Sequence, residues 1–278
     1  MSPSLSFATT TMSASGVLVA SSMALAAGLL GSFVLLRRMT LAADALSHVA
    51  LPGIGVAILL RIDPLIGAVA ALLAGAVLIW ALQRRTRLST DAVIGVVFSA
   101  ALATGALITS GEQLIDALFG APGRLAPWEM AAGIAGAILV MLFVRVAKDQ
   151  LVLAVVSGDM AHASGVDVRR LDLLYLLTLS LTVALGLRYL GVLLMGSLLI
   201  IPPAAARVLA RNLTQMLVLS AASAVFSTLA GSWLAARYRT ETGPMIVLLA
   251  AGMFLSAVII ASVRQWVAGF TSRRAARC

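Results

Sequence analysis

Residues 16–60 read GVLVASSMALAAGLLGSFVLLRRMTLAADALSHVALPGIGVAILL. Two apolar runs of about 20 residues flank Arg37 and Arg38, and about 20 residues at 1.5 Å each is the length of a helix that crosses a 30 Å hydrocarbon layer. Inside the second run sit an acid, Asp44, and an imidazole, His48, four positions apart. The stretch therefore predicts two membrane helices joined by a basic turn, the second carrying ionisable groups that lipid would not tolerate unaided.

The pattern continues outward from this pair. Further apolar runs give spans near 16–36, 40–60, 64–82, 89–110, 126–146, 171–188, 190–206, 213–236 and 244–263. The 190–206 run is short and carries Pro202-Pro203, which leaves eight or nine spans and marks that run as a candidate broken or re-entrant element. Composition agrees: of 278 residues, 61% are hydrophobic and 11% charged, against about 25% charged in a soluble domain. The fold class expected is all-α, a polytopic helical membrane protein built as one transmembrane domain over 1–278. The first run has no basic residue ahead of it and reads as a retained span, not a signal peptide.

The net charge of +9 does not indicate nucleic acid. Nineteen of the twenty basic residues are arginines clustered between apolar runs, which is how membrane proteins mark the cytoplasmic side. With the N-terminus outside and nine alternating spans, fifteen basic residues fall inside. Five fall outside: Arg61, Arg124, Arg188, Arg237 and Arg239. Asp63-Pro64 reads as an N-cap followed by proline at the first helical position. Ser89, Thr90 and Asp91 supply capping oxygens for the fourth span, and Gly243-Pro244 opens the last. Residues 111–125 form an outside segment. Residues 147–170 form the longest inside loop, polar enough in places to be a folded cytoplasmic element.

The chemistry concentrates at Asp44 and His48. Their spacing puts both on one helical face, and a carboxylate oxygen with a neutral imidazole nitrogen is half a site for a borderline divalent cation. Pro52 cannot donate to the carbonyl of His48, so the helix is expected to kink there, and Gly53 permits close packing beside it. The structural alternative is that Asp44 hydrogen-bonds His48 or another helix and only holds the bundle together. Pro202 and Pro203 free the carbonyls of Leu198 and Leu199, candidate backbone for a pathway, although simple kinking explains them as well. His162 reads as a solvated loop histidine, the methionines as packing residues, and Gly28 with Gly31 and Gly133 with Gly136 as close helix contacts. The single cysteine, Cys278, excludes an intrachain disulfide. The only lysine, Lys148, follows Ala147, so no GxxxxGK[ST] phosphate loop exists in the sequence. HExxH, GxSxG and CxxC are likewise missing. The protein is expected not to be an enzyme, and ATP-driven transport would need a separate ATPase.

Six segments in register resemble the zinc/manganese-type ABC importer permease family: RRMTLAADALSHVALPGIGVAILL (37–60), STDAVIGVVFSAALATG (89–105), DALFG (116–120), SGDMAHASGVDVRRLDLLYLL (157–177), LGVLLMGSLLIIPPAAARVLA (190–210) and TETGPMIVLLA (240–250). Each is weak alone; together they are spread along the chain within about residues 28 to 263. The resemblance implies a vitamin/metal-type ABC importer permease fold in a bacterial cytoplasmic membrane. It implies a homodimer around a central pathway, a cytoplasmic ABC ATPase subunit and an extracytoplasmic metal-binding solute-binding protein. By motif position Asp44 and His48 match the acid and histidine that contact the metal. Ser157, Gly158, Asp159, Ala163 and Gly165 match the loop that couples to the ATPase. No cofactor is implied beyond the transported ion. The histidine-rich stretch of some zinc-type members is missing, so the metal stays open between zinc, manganese and iron. The rival readings are a permease for a metal chelate or vitamin, a proton-coupled secondary transporter and a membrane-embedded enzyme. The last would want a denser cluster of polar groups.

Overall fold

The computed structural model describes residues 14–86, 88–108 and 126–275. Among these, ten helices follow one another: α1 (Ala14–Leu36), α2 (Thr40–Leu59), α3 (Pro64–Arg85), α4 (Thr90–Ile108), α5 (Pro127–Val156), α6 (Gly158–Ala163), α7 (Val168–Leu190), α8 (Val192–Leu209), α9 (Leu213–Tyr238) and α10 (Thr242–Ala275). Eight are long and apolar enough to cross a membrane, and α8 contributes a shorter apolar stretch, Leu194–Leu209. The outside segment 111–125, including the DALFG motif, lies outside the described residues.

α1 is the central post. Val19, Met23, Leu30 and Phe33 on it are fully buried, and it packs against α9, α8, α5 and α7. A helix apolar on every side belongs in such a position. α2 lies between α3 and α4, α10 covers α8 and α9, and α7 touches both groups. The outer faces carry Val77, Leu102, Ile138, Leu142, Leu248 and Ile259, all exposed, a surface suited to lipid and not to water.

Backbones meet where side chains are smallest. A Cβ added to Gly53 would overlap the carbonyl oxygen of Gly67, and one added to Gly67 would overlap that of Gly53, so α2 and α3 cross in backbone contact. Gly31 stands against the carbonyl of Leu199 on α8, and Gly28 against Ser220 on α9. There the Ser220 hydroxyl donates to the Gly28 carbonyl at 2.7 Å. Close packing of this kind is how membrane helices associate without a hydrophobic drive.

The expected caps form at α3 and α4. Asp63 Oδ1 accepts from Leu65 N–H at 2.8 Å, and Ser89 Oγ accepts from Ala92 N–H at 3.3 Å. The C-terminal ends show what residue types did not announce. α1, α2 and α9 each end with a left-handed residue, and each is an arginine: Arg38 (φ 56), Arg61 (φ 58) and Arg239 (φ 53). After α1, Met39 N–H donates to Val34 O and Arg38 N–H to Leu35 O, the paired bonds of a Schellman cap. Arg61 and Ile62 repeat the pattern after α2.

Three boundaries differ from the sequence reading. α5 does not end at 146 but runs to Val156, because AKDQLVLAVV contains no glycine or proline to stop it. The inside loop 147–170 is thus largely helical: the end of α5, then α6, then a short link into α7. α8 is one unbroken helix through Pro202 and Pro203. α10 continues past 263 to Ala275.

Candidate functional site

Asp44 and His48 lie on successive turns of α2, as their spacing requires. Asp44 projects from the surface of the chain, and His48 is half-buried beside it. Among the described residues Asp44 makes no hydrogen bond or ion pair, with His48 or with any other helix. His48 Nδ1 is buried and has no hydrogen-bond partner. An unpaired carboxylate on a membrane helix and an imidazole with an unused nitrogen are both unfavourable unless something else engages them.

The surroundings leave space for that engagement. The His48 ring meets Phe98 of α4 in a T-shaped contact, with centroids 5.3 Å apart and planes at 73°. Ser47, between the two ionisable residues, donates its hydroxyl back to Ala43 O at 3.0 Å. Across from them α8 presents Gly196: a Cβ there would sit 3.7 Å from Asp44 Oδ1 and 3.8 Å from Ser47 Oγ. Gly196 thus keeps the approach to the carboxylate open. The sequence did not single out Phe98, Gly196 or Ser47, because two of them reach the site only through tertiary packing.

Among the described residues no group of three or more His, Cys, Asp or Glu side chains gathers anywhere. Among the described residues, this place therefore offers Asp44 and His48 as side chains of a kind that can ligate a metal, short of a group of three. α2 runs unbroken through Pro52, and Gly53 beside it makes the backbone crossing with Gly67. Pro202 and Pro203 are both buried. A side chain at Gly31 would press on Pro203 and on the carbonyl of Leu199. The carbonyl that Pro203 frees, that of Leu199, packs against Gly31 of α1 in the same chain.

At the end of the bundle carrying Arg37 and Arg84, α6 rests against α5 and the start of α7. Ser157 caps it, accepting from Met160 N–H at 3.3 Å. Ala161 anchors it by burial, while Gly158, Asp159, Met160, His162 and Ala163 face outward. Gly165 ends it at φ 79, a conformation that favours glycine. Asp167 then caps α7 with bonds from Arg169 N–H at 3.0 Å and Arg170 N–H at 3.2 Å. These bonds, that from Arg170 first, hold the Asp167 carboxyl below the usual carboxylate range. At the far end of α7, Arg188 pairs with Glu129 of α5 at 2.5 Å.

Known proteins resemble this chain over most of its length. The model of the ABC 3 transport family matches residues 9–261. The manganese transport system membrane protein of Halalkalibacterium halodurans is 34% identical over 236 residues, which is 82% of this chain and 80% of that protein. The high-affinity zinc uptake system membrane protein of Haemophilus influenzae is 30% identical over 232 residues, 81% of this chain and 88% of the other. Among solved structures, PsaBC from Streptococcus pneumoniae in complex with Fab superposes with a TM-score of 0.76 at 28% identity. That match covers 87% of this chain and 89% of the other.

Proposed function

This chain belongs to the ABC 3 transport family, and from that premise we propose that it is the membrane-spanning subunit of an importer for a divalent metal ion, zinc or manganese. A separate cytoplasmic ATPase supplies the energy, and an extracytoplasmic binding protein delivers the ion. The relatives named for manganese and for zinc are similar to this chain to comparable degrees, and one oxygen donor with one nitrogen donor suits either metal.

The observation that carries this reading is the state of Asp44 and His48: an outward-facing carboxylate with no partner, one turn from an imidazole whose Nδ1 has none. Asp44 offsets the cost of stripping water from the cation, and His48 adds a softer donor. Two donors hold an ion loosely, as a carrier needs in order to release it. A second copy of this chain, placed face to face across Asp44, brings the donors to four and takes the carboxylate away from lipid. That is the support for a homodimer around a central pathway. α6, with Ser157 as its cap and Gly165 as its end, offers the surface on which the ATPase docks.

The test is metal uptake into proteoliposomes containing this chain with its ATPase and binding protein. Asp44→Ala and His48→Ala should each abolish ATP-dependent uptake while the complex still assembles. Uptake should persist when the proton gradient is collapsed. Wild-type uptake in both variants would overturn the assignment.

A further inference from the structure

Two side-chain contacts fasten the inner end of α7 to neighbouring helices. Arg37 Nη1 donates to Asp172 Oδ1 at 2.7 Å, and its guanidinium carbon lies 4.9 Å from the centre of the Tyr175 ring. The Arg37 side chain is 10% exposed and that of Asp172 39%, so the pair is anchored on its buried cationic side. On α3, Trp80 Nε1 donates to the carbonyl of Arg169 at 3.2 Å, and the guanidinium carbon of Arg84 lies 4.4 Å from the centre of the indole ring.

The positions of these contacts along the chain give them a role. α6 ends at Ala163 and α7 begins at Val168, so a shift of α6 moves the first turns of α7, where Arg169 and Asp172 lie. Arg37 precedes Thr40, the first residue of α2, by three positions, and the Schellman bonds of Arg38 and Met39 fix the turn between them. Asp44 is one turn farther on. From the exposed face of α6 to the carboxylate of Asp44 the structure is helix or hydrogen-bonded turn throughout. The charged contact between Arg37 and Asp172 is the place where the path leaves one helix for another.

We infer that Arg37 and Asp172 are positioning residues of the transport cycle: their ion pair conveys displacement of α6 and α7 to the start of α2, and so to Asp44 and His48. This rests on the function proposed above. Apolar helix faces can slide past each other at small cost. A short charge-assisted hydrogen bond anchored on a mostly buried guanidinium resists both stretching and shear. Separating it would strand a nearly buried guanidinium, so the pair moves as a unit. The Trp80 bond is neutral and exposed and acts as a secondary stay toward α3.

The experiment uses the assembled complex in proteoliposomes, with manganese or zinc chloride as the probe, and reads ions moved per ATP hydrolysed. Wild type against Asp44→Ala checks the proposed function first, so a failure there is separate from a failure of this inference. In Arg37→Gln and in the near-isosteric Asp172→Asn, the ratio should fall by about two- to thirtyfold, the range for residues that link coupled elements, while ATP hydrolysis continues. Arg37→Lys, which keeps the charge, should retain most of the ratio. Trp80→Phe, which removes one N–H and keeps the ring, should lower it less than Asp172→Asn. An unchanged ratio in both Arg37→Gln and Asp172→Asn overturns the inference. So does a proportional fall of uptake and hydrolysis, or failure of both variants to assemble, since the pair would then only hold α1 against α7.

Discussion

Gly53 and Gly67 touch backbone to backbone where α2 crosses α3, each occupying the space a side chain on the other would need. Gly53→Ala or Gly67→Ala should therefore push the helices apart and cost about 1–3 kcal/mol of stability. The double variant should cost less than the sum, because the first methyl opens the crossing for the second. Thermal unfolding in detergent measures both. Full additivity would show that the helices do not share this contact.

Gly196 guards the approach to Asp44 by being small. A methyl group there meets the carboxylate at 3.7 Å, an ordinary contact distance, so Gly196→Ala should transport nearly as well as wild type. Gly196→Leu should fill the space and abolish uptake with assembly intact. Normal uptake by Gly196→Leu would place the ion's route elsewhere.

Arg38 holds a left-handed conformation that most residues avoid. Arg38→Gly should change stability by less than about 1 kcal/mol, since relief of strain is offset by a more flexible unfolded chain. Arg38→Val should cost about 1–2 kcal/mol and loosen the α1–α2 turn. Equal melting temperatures for the two variants would contradict the left-handed cap.

The buried bond from Ser220 to Gly28 should contribute little on its own. Gly28 O also accepts from Ser32 Oγ at 3.0 Å, so Ser220→Ala leaves that carbonyl satisfied. The expected loss is about 0.6 kcal/mol, typical of hydrogen bonds between membrane helices. A much larger loss would mean that Ser220 supports more than this contact.

The cap on α7 carries a pH dependence of known sign. Backbone bonds from Arg170 and Arg169 lower the Asp167 carboxyl, so the ionised form belongs to the folded cap. Its contribution is complete above the ordinary carboxylate range and is lost as pH falls through the lowered value. Hydrogen exchange at the Arg169 and Arg170 amides should accelerate, relative to the intrinsic rate, only in strong acid. Asp167→Asn, which caps without ionising, should remove that acid step. Persistence of the step in Asp167→Asn would assign it to another group.

Much of this architecture was legible because a membrane imposes crude rules. Spans appeared as apolar runs, and their ends fell within a few residues wherever a cap or proline marked them, as at Asp63-Pro64. Where no breaker stood, the reading stopped too early: α5 continues ten residues beyond 146 because hydropathy falls there while helix propensity does not. The exceptions to the arginine count also have reasons that only the fold supplies. Arg61 and Arg239 cap helices in the left-handed conformation, and Arg188 pairs with Glu129. Each of the three does a structural task at a helix end.

The site was legible in part. Asp44 and His48 announced themselves as ionisable groups one turn apart in an apolar run. Phe98 and Gly196 did not, because each lies in an unremarkable span of its own and gains meaning only when α4 and α8 close on α2. The Arg37–Asp172 pair joins residues 135 positions apart, a relation that no local pattern encodes.

The length of α5 decides what kind of surface α6 can present. Thirty residues make a rod of about 45 Å, or about 42 Å when tilted by a typical 20°. The oily layer takes up about 30 Å of this and its polar fringe most of the remainder. The stem is therefore longer than the oily layer alone requires, by enough to carry α6 out of it. Under the proposed function, a soluble ATPase would meet α6 there without having to enter the oily layer.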